Sequence, residues 1–152
     1  MDGAATLGFA WRQEATVLAD LYQQAPLRIL MPAAADIGVA LGVVVVTSGG
    51  LVGGDSLDIS VRCGDGSHAM VCAQAAEKVY RTAGADCKVA VSLEASGSAW
   101  LEWLPQETIL FEGARLHRQM SVDADASARV LAGEIVVFGR RARGERFTRG
   151  HL

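Results

Sequence analysis

Apolar residues recur along the chain in short runs with period two or with no gaps, and helical spacing is rare. Residues 57–63 (LDISVRC) and 88–94 (KVAVSLE) alternate and predict half-buried strands. Residues 39–47 (VALGVVVVT) are strongly β-branched, which suits a strand buried on both faces. Residues 27–31 predict a compact strand behind Pro26, and 32–36 a loop. Residues 14–22 (EATVLADLY) fit a strand or a short helix, and 1–13 read as a loose terminus. Residues 99–104, 116–122 and 129–138 complete the strand set, while 75–82 (AAEKVYRT) predicts one short helix.

Turn residues punctuate these runs. Asp65-Gly66 is a strong two-residue hairpin signal, with 68–74 as the returning strand. A turn centred there pairs Ile59 with Cys72, Val61 with Met70 and Cys63 with His68, and puts all six on one face. Ser96-Gly97 and residues 123–127 mark two further turns, so turns recur about every 30 residues. The expectation is an all-β, β-helix-like or sandwich-like stack of antiparallel hairpins, forming one domain over residues 1–152.

The densest apolar stretch is residues 100–118, WLEWLPQETILFEGARLHR. Pro105 has no N–H for a ladder and belongs at a strand end or bend. Two or all three tryptophans are candidate core anchors. Gln106 and Glu107 lie between two apolar runs, where a polar pair must reach water or find partners. The local reading is a solvated bend; the functional one is polar groups held at an interior or interface surface.

Composition narrows the class. At 152 residues, 51% hydrophobic and 20% charged, with mean hydropathy +0.25, the chain is too apolar for disorder. The apolar excess predicts a surface covered by a partner or by further chain. A net charge of −3 argues against a general nucleic-acid binder, although eight of the 14 basic residues lie from Arg115 onward. Three cysteines without CxxC spacing argue against a disulfide framework. The start shows no secretory signal, and the longest apolar run, 37–46, is too short to span a bilayer. A reducing cytoplasm is the expected compartment. The final RFTRGHL reads as the approach to another strand, and a fragment is expected.

Several chemistries fail on pattern. SGGLVGGD (48–55) lacks Gly-x-Gly-x-x-Gly and any following Lys-Ser/Thr, so it is a tight turn rather than a phosphate loop. Asp123, Asp125, Ser127 and Glu134 resemble a calcium loop, but Ala128 stands where glycine is needed. Ser121, Asp123 and His117 have no nucleophile elbow. Cys63, His68, Met70 and Cys72 could converge as soft ligands if the hairpin register holds; core filling is the alternative. The arginines at 140, 141, 143, 146 and 149 suit an interface or a guarded strand edge better than nucleic acid, given Glu145 among them and only Phe147 to stack. Glu77, Lys78 and Arg81 are polar positions on the predicted helix.

Four stretches in order, TSGGLVGGDSLDI (47–59), QAAEKVYR (74–81), LEWLPQETILFEGARL (101–116) and FGRRARGERF (138–147), resemble the UreD (UreH) family of urease accessory proteins. PLRILMP (26–32) fits the same family's early strand. The resemblance implies an all-β, β-helix-like fold and a non-enzymatic scaffold. The implied partners are the urease apoprotein and UreF, with the GTPase UreG reached through UreF, and neither nucleic acid nor membrane. No tightly bound cofactor is implied; nickel is expected only in transit, through an internal polar tunnel. On that reading Gln74, Glu77, Lys78, Gln106, Glu107 and Glu134 are candidate interior or contact positions, with Arg81, Arg140, Arg141 and Arg143 as further contact candidates. No metal ligand is assigned. The competing expectation is a metal-binding β-domain that uses Cys63, His68 and Cys72. Family members continue past the RARGERF motif, so the later strands and their contacts are expected to be missing here.

Overall fold

A computed structural model describes residues 1–33 and 38–152; residues 34–36 of the predicted loop and Ile37 lie outside the described residues. The strands are β1 (Asp2–Arg12), β2 (Ala15–Gln24), β3 (Leu27–Leu30), β4 (Ala40–Val46), β5 (Ser56–Cys63), β6 (His68–Ala73) and β7 (Glu77–Val79). They continue as β8 (Cys87–Ala95), β9 (Trp100–Leu104), β10 (Thr108–Leu110), β11 (Leu116–Ala124), β12 (Arg129–Ala132) and β13 (Val136–Phe138). A single 3-10 turn, Arg141–Arg143, is the helical content among the described residues. None of the described helices is long and apolar enough to cross a membrane.

From β4 onward the chain visits three sheets in rotation, making a β-helix. The first sheet runs β2-β1-β5-β8-β11, the second β3-β4-β6-β9-β12 and the third β7-β10-β13. Successive coils pair in parallel, stepping from Ser56 to Lys88 in one coil and from Cys87 to Leu116 in the next. Among the described strand pairs, β1 with β2 and β3 with β4 are the antiparallel ones.

Alternation decides what lies inside. In the first sheet Leu57, Ile59 and Val61 stack on Val89, Val91 and Leu93, and all six are buried. In the second, Ala69 and Val71 stack on Leu101 and Trp103. Each such aliphatic side chain removed from water contributes roughly 1.5–3 kcal/mol. Gly42 on β4 admits the Leu7 side chain from β1; a Cβ there would meet it at 2.9 Å. The all-β, β-helix-like expectation holds.

Three local expectations do not. Residues 1–13 form no loose terminus: β1 lies between β2 and β5, with Leu7 fully buried and Phe9 nearly so. Of the two readings of residues 14–22, strand is the one found, from Ala15 onward in β2. The 57–63 and 68–74 segments do not pair as a hairpin. Ile59 is in register with Ala5 and Val91, and Cys72 with Val43 and Leu104, in two different sheets. Residues 75–82 hold strand β7, not a helix. The Glu77 N–H donates to Glu107 O at 2.9 Å, and Val79 is buried beneath its bridge to Leu51. Pairing and burial override the helix propensity of Ala, Glu and Lys.

The recurring turns are corners between the first and second sheets. Each is closed by one backbone bond: Ser67 N–H to Gly64 O, Ala99 N–H to Ser96 O, and Ala128 N–H to Asp125 O. Side chains tie one corner to the next. Asp65 Oδ1 accepts from Ser98 N–H at 2.8 Å and Ser98 Oγ at 3.0 Å, while Asp125 Oδ2 accepts from Gly97 N–H at 2.6 Å. Gly97 has φ +57°, and a Cβ there would lie 2.1 Å from Asp65 Oδ1, so the position needs glycine. The three turns share a period of about 30 residues because each is the same corner, one coil further on.

Candidate functional site

The next corner, from the second sheet to the third, is built differently. Polar residues recur there coil by coil. Thr108 pairs with Glu77 on one side and Val136 on the other, so Gln106 and Glu134, each two residues earlier, occupy equivalent places in successive coils. Beside this corner, within the β-helix, is a cavity of about 250 Å3. Since a water takes up about 30 Å3 in the liquid, the space has the size of a small water cluster. Val44, Leu57 and Val89 give it apolar walls; Gln74, Glu77, Lys78, Gln106, Thr108 and Arg118 give it polar ones.

Glu77 has the same inward parity on β7 as buried Val79. Burial pushes its carboxyl up from 4.5 to about 7, against the opposing pull of the Lys78 N–H, which donates to Glu77 Oε1 at 3.1 Å, and of the Arg118 and Lys78 charges. Arg118 is an inward position on β11, flanked by Leu116 and Met120. It continues the row Leu57–Val89, placing an arginine where the two earlier coils have aliphatic side chains. Its Nε donates to Glu134 Oε2 at 2.7 Å and its Nη2 to Glu134 Oε1, a bidentate pair whose side chains are 12% and 21% exposed. Trp103 Nε1–H adds a bond to Glu134 Oε1 at 3.3 Å. Desolvation pushes the Glu134 carboxyl up, but the Arg118 bonds and charge outweigh it and hold it below the usual range.

Most of the expected polar set thus meets at one corner. Gln74, Glu77, Lys78 and Gln106 line the cavity, and Glu134 joins its wall through Arg118. Glu107 lies alongside, where its backbone carbonyl accepts the Glu77 N–H. The expected arginines lie elsewhere. Arg81 borders a separate cleft with Glu112, Arg115, Arg149 and His151. Arg140 pairs with Glu145 and stacks 4.1 Å from the Phe111 ring centre. Arg141 and Arg143 are exposed on the 3-10 turn.

Arg118 and Thr108 escaped the sequence reading. The signal was an inward charge in the alternation of LHRQM and a polar residue opening the apolar run TIL. Of the three tryptophans only Trp103 anchors the core, at 2% exposure; Trp11 and Trp100 are 46% and 40% exposed and flank His68 from outside.

The convergence of Cys63, His68, Met70 and Cys72 is corrected. Cys63 points inward, with Sγ 3.2 Å from Ser67 Oγ, whereas His68, Met70 and Cys72 share the outward parity of β6. Burial raises the Cys63 and Cys72 thiols and pushes Cys87 up to about 12, so all three favour the protonated form that metals bind poorly. Among the described residues no three His, Cys, Asp or Glu side chains gather as a metal site.

The sequence model of the UreD urease accessory protein family matches residues 1–152. Urease accessory protein UreD of Magnetococcus marinus is 47% identical over 152 residues, covering 100% of this chain and 53% of the relative. UreD 1 of Bradyrhizobium sp. (strain ORS 278) is 46% identical over 132 residues, covering 87% and 47%. UreD of Chelativorans sp. (strain BNC1) is 43% identical over 141 residues, covering 93% and 50%. The chain spans about half the length of the curated relatives it matches. With the quoted motifs, the coiled all-β fold and a match along its whole length, the chain belongs to the UreD family of urease accessory proteins.

Proposed function

We propose that this protein is a non-catalytic scaffold of urease maturation, which binds the urease apoprotein and UreF, meets UreG through UreF, and gives Ni2+ an interior path toward the urease active site. It works in the cytoplasm, and nickel is its cargo rather than a resident cofactor. The observation that carries this reading is the cavity inside the β-helix, lined by Gln74, Glu77, Gln106 and Thr108, with Arg118 standing where the earlier coils have Leu57 and Val89. An interior built only for stability would fill such a place with close-packed apolar side chains. Neutral amide and hydroxyl oxygens with one carboxylate offer a hydrated divalent ion hydrogen bonds without a closed ligand shell to trap it. Supporting the scaffold role, no Gly-x-Ser-x-Gly elbow occurs in the sequence, and Ser121, Asp123 and His117 lie on one strand without bonding to one another.

The test is co-expression of the urease subunits and the other accessory proteins with this chain, with its Glu77→Ala/Gln106→Ala variant, and without it. Urease activity and nickel content are expected to be highest with the wild-type chain, lower with the variant and at background without the chain. Equal nickel content in all three would reject the proposal.

A further inference from the structure

Arg118 has two carboxylates within its surroundings and is bonded to one of them. Glu134 holds it from the last coil in a bidentate pair, and Glu77 stands on the same cavity wall, near enough for the arginine's charge to favour the carboxylate. The other charged or titratable groups near Glu77 are Lys78 on its own strand and Cys87, whose thiol is raised by Glu77's charge after burial and Asp55. Asp55 is itself occupied by the Met1 ammonium at 2.8 Å and the Val52 N–H at 2.8 Å. Among the described residues, Lys78 and Arg118 are the cations lining the cavity, and Arg118 is the one from a strand other than β7.

Pairing decides what the cavity offers. With Arg118 on Glu134 the two charges cancel, and the Glu77 carboxyl is left with the Lys78 N–H as its bonded partner. With Glu134 removed, an arginine that is 12% exposed has one nearby carboxylate left, and an unpaired buried charge is costly enough to drive it there. Glu134 belongs to the connection between β12 and β13, strands whose far edges are unpaired among the described residues. Neighbouring Ile135 is 65% exposed. The latch thus links the cavity to the edge of the β-helix where another strand would add.

We propose that Arg118 is a two-position latch: on Glu134 it leaves the cavity open to divalent cations, and released from Glu134 it turns onto Glu77 and closes the cavity to them. This rests on the interior-path reading above. Arg118 is a positioning residue, and no cation is held by it.

The full chain is made as wild type, Glu134→Gln, Arg118→Met and the double variant, each titrated calorimetrically with NiCl2, with crystal structures of the metal-free forms. Expected for Glu134→Gln is a guanidinium bonded to Glu77 and a Ni2+ affinity lower by about tenfold or more, a change of at least about 1.4 kcal/mol. The double variant should recover to within about threefold of wild type, because Arg118 is no longer present to turn. An Arg118 that stays off Glu77 in Glu134→Gln overturns the latch. A guanidinium that turns as expected while Ni2+ binding is the same in all four proteins upholds the latch and rejects the nickel path instead. Should Glu134→Gln fail to fold, Arg118→Met alone decides: Ni2+ affinity at or above wild type supports the latch, and weaker binding overturns it.

Discussion

Two corners of the same coil use polar residues in opposite ways. At the corner between the first and second sheets, Asp65 and Asp125 spend their carboxylates on backbone N–H groups of the adjacent coil. The Ser98 bonds hold Asp65 below the usual carboxylate range. Those carboxylates lie outside the core and are satisfied by the neighbouring corner. At the corner between the second and third sheets, Glu77 points inward, keeps one backbone bond and is pushed up to about 7 by burial. The difference teaches that polar residues at a β-helix corner are not one class. Those that stitch coils together are fully partnered, whereas the inward Glu77 keeps hydrogen-bonding capacity in reserve.

Three substitutions sharpen or break that contrast. The largest effect is expected from Trp103→Ala, which removes a buried aromatic shared by the core and the cavity wall and also orphans a bond to Glu134. It should cost about 3–5 kcal/mol in urea unfolding. A loss under about 1 kcal/mol would mean that the cavity corner is loosely packed and the comparison unsound.

Second, Glu77 sets a pH dependence. Its folded value is raised, so the folded state binds the proton more tightly than the unfolded one. Its contribution is fully present below 4.5 and is lost as pH rises through about 7. Between pH 5 and pH 8 the wild type should lose about 2.5 kcal/mol relative to Glu77→Gln, measured as the difference between their urea unfolding curves. Parallel pH profiles would place Glu77 with the satisfied carboxylates of the other corner.

Smallest is Asp65→Ala, which leaves the Ser98 N–H and hydroxyl without an acceptor at an exposed corner. The smallest loss of stability of the three is expected in urea unfolding, because water replaces the lost acceptor, with urease activation in co-expression unchanged once the protein is folded. A loss of activation at full stability would show that the stitching corner also serves function.

Much of the fold was legible in particular residues. Alternation in LDISVRC and KVAVSLE located β5 and β8, and the turn signals gave the spacing of the corners, although they read as hairpins. The polar interruptions in QAAEK and PQE located most of the cavity wall. Arg118 was missed because a lone arginine between apolar neighbours reads as an ordinary strand edge. Only the row it shares with Leu57 and Val89 shows that it faces inward. The N-terminal strand was missed because DGAATLGFAWR is weak in β-branched residues and gains its structure from lying between two other strands.

By itself the sequence determined where strands such as β5, β8 and β9 lie and how often the chain turns, because alternation and turn chemistry are properties of a few adjacent residues. Which strand pairs with which was decided only in three dimensions. Asp65-Gly66 can reverse a chain within one sheet or turn it into another, and the dipeptide is the same in both. What selects the corner is the burial available when Leu57, Val89 and their neighbours stack on the next coil, a quantity that exists only once the coils have formed.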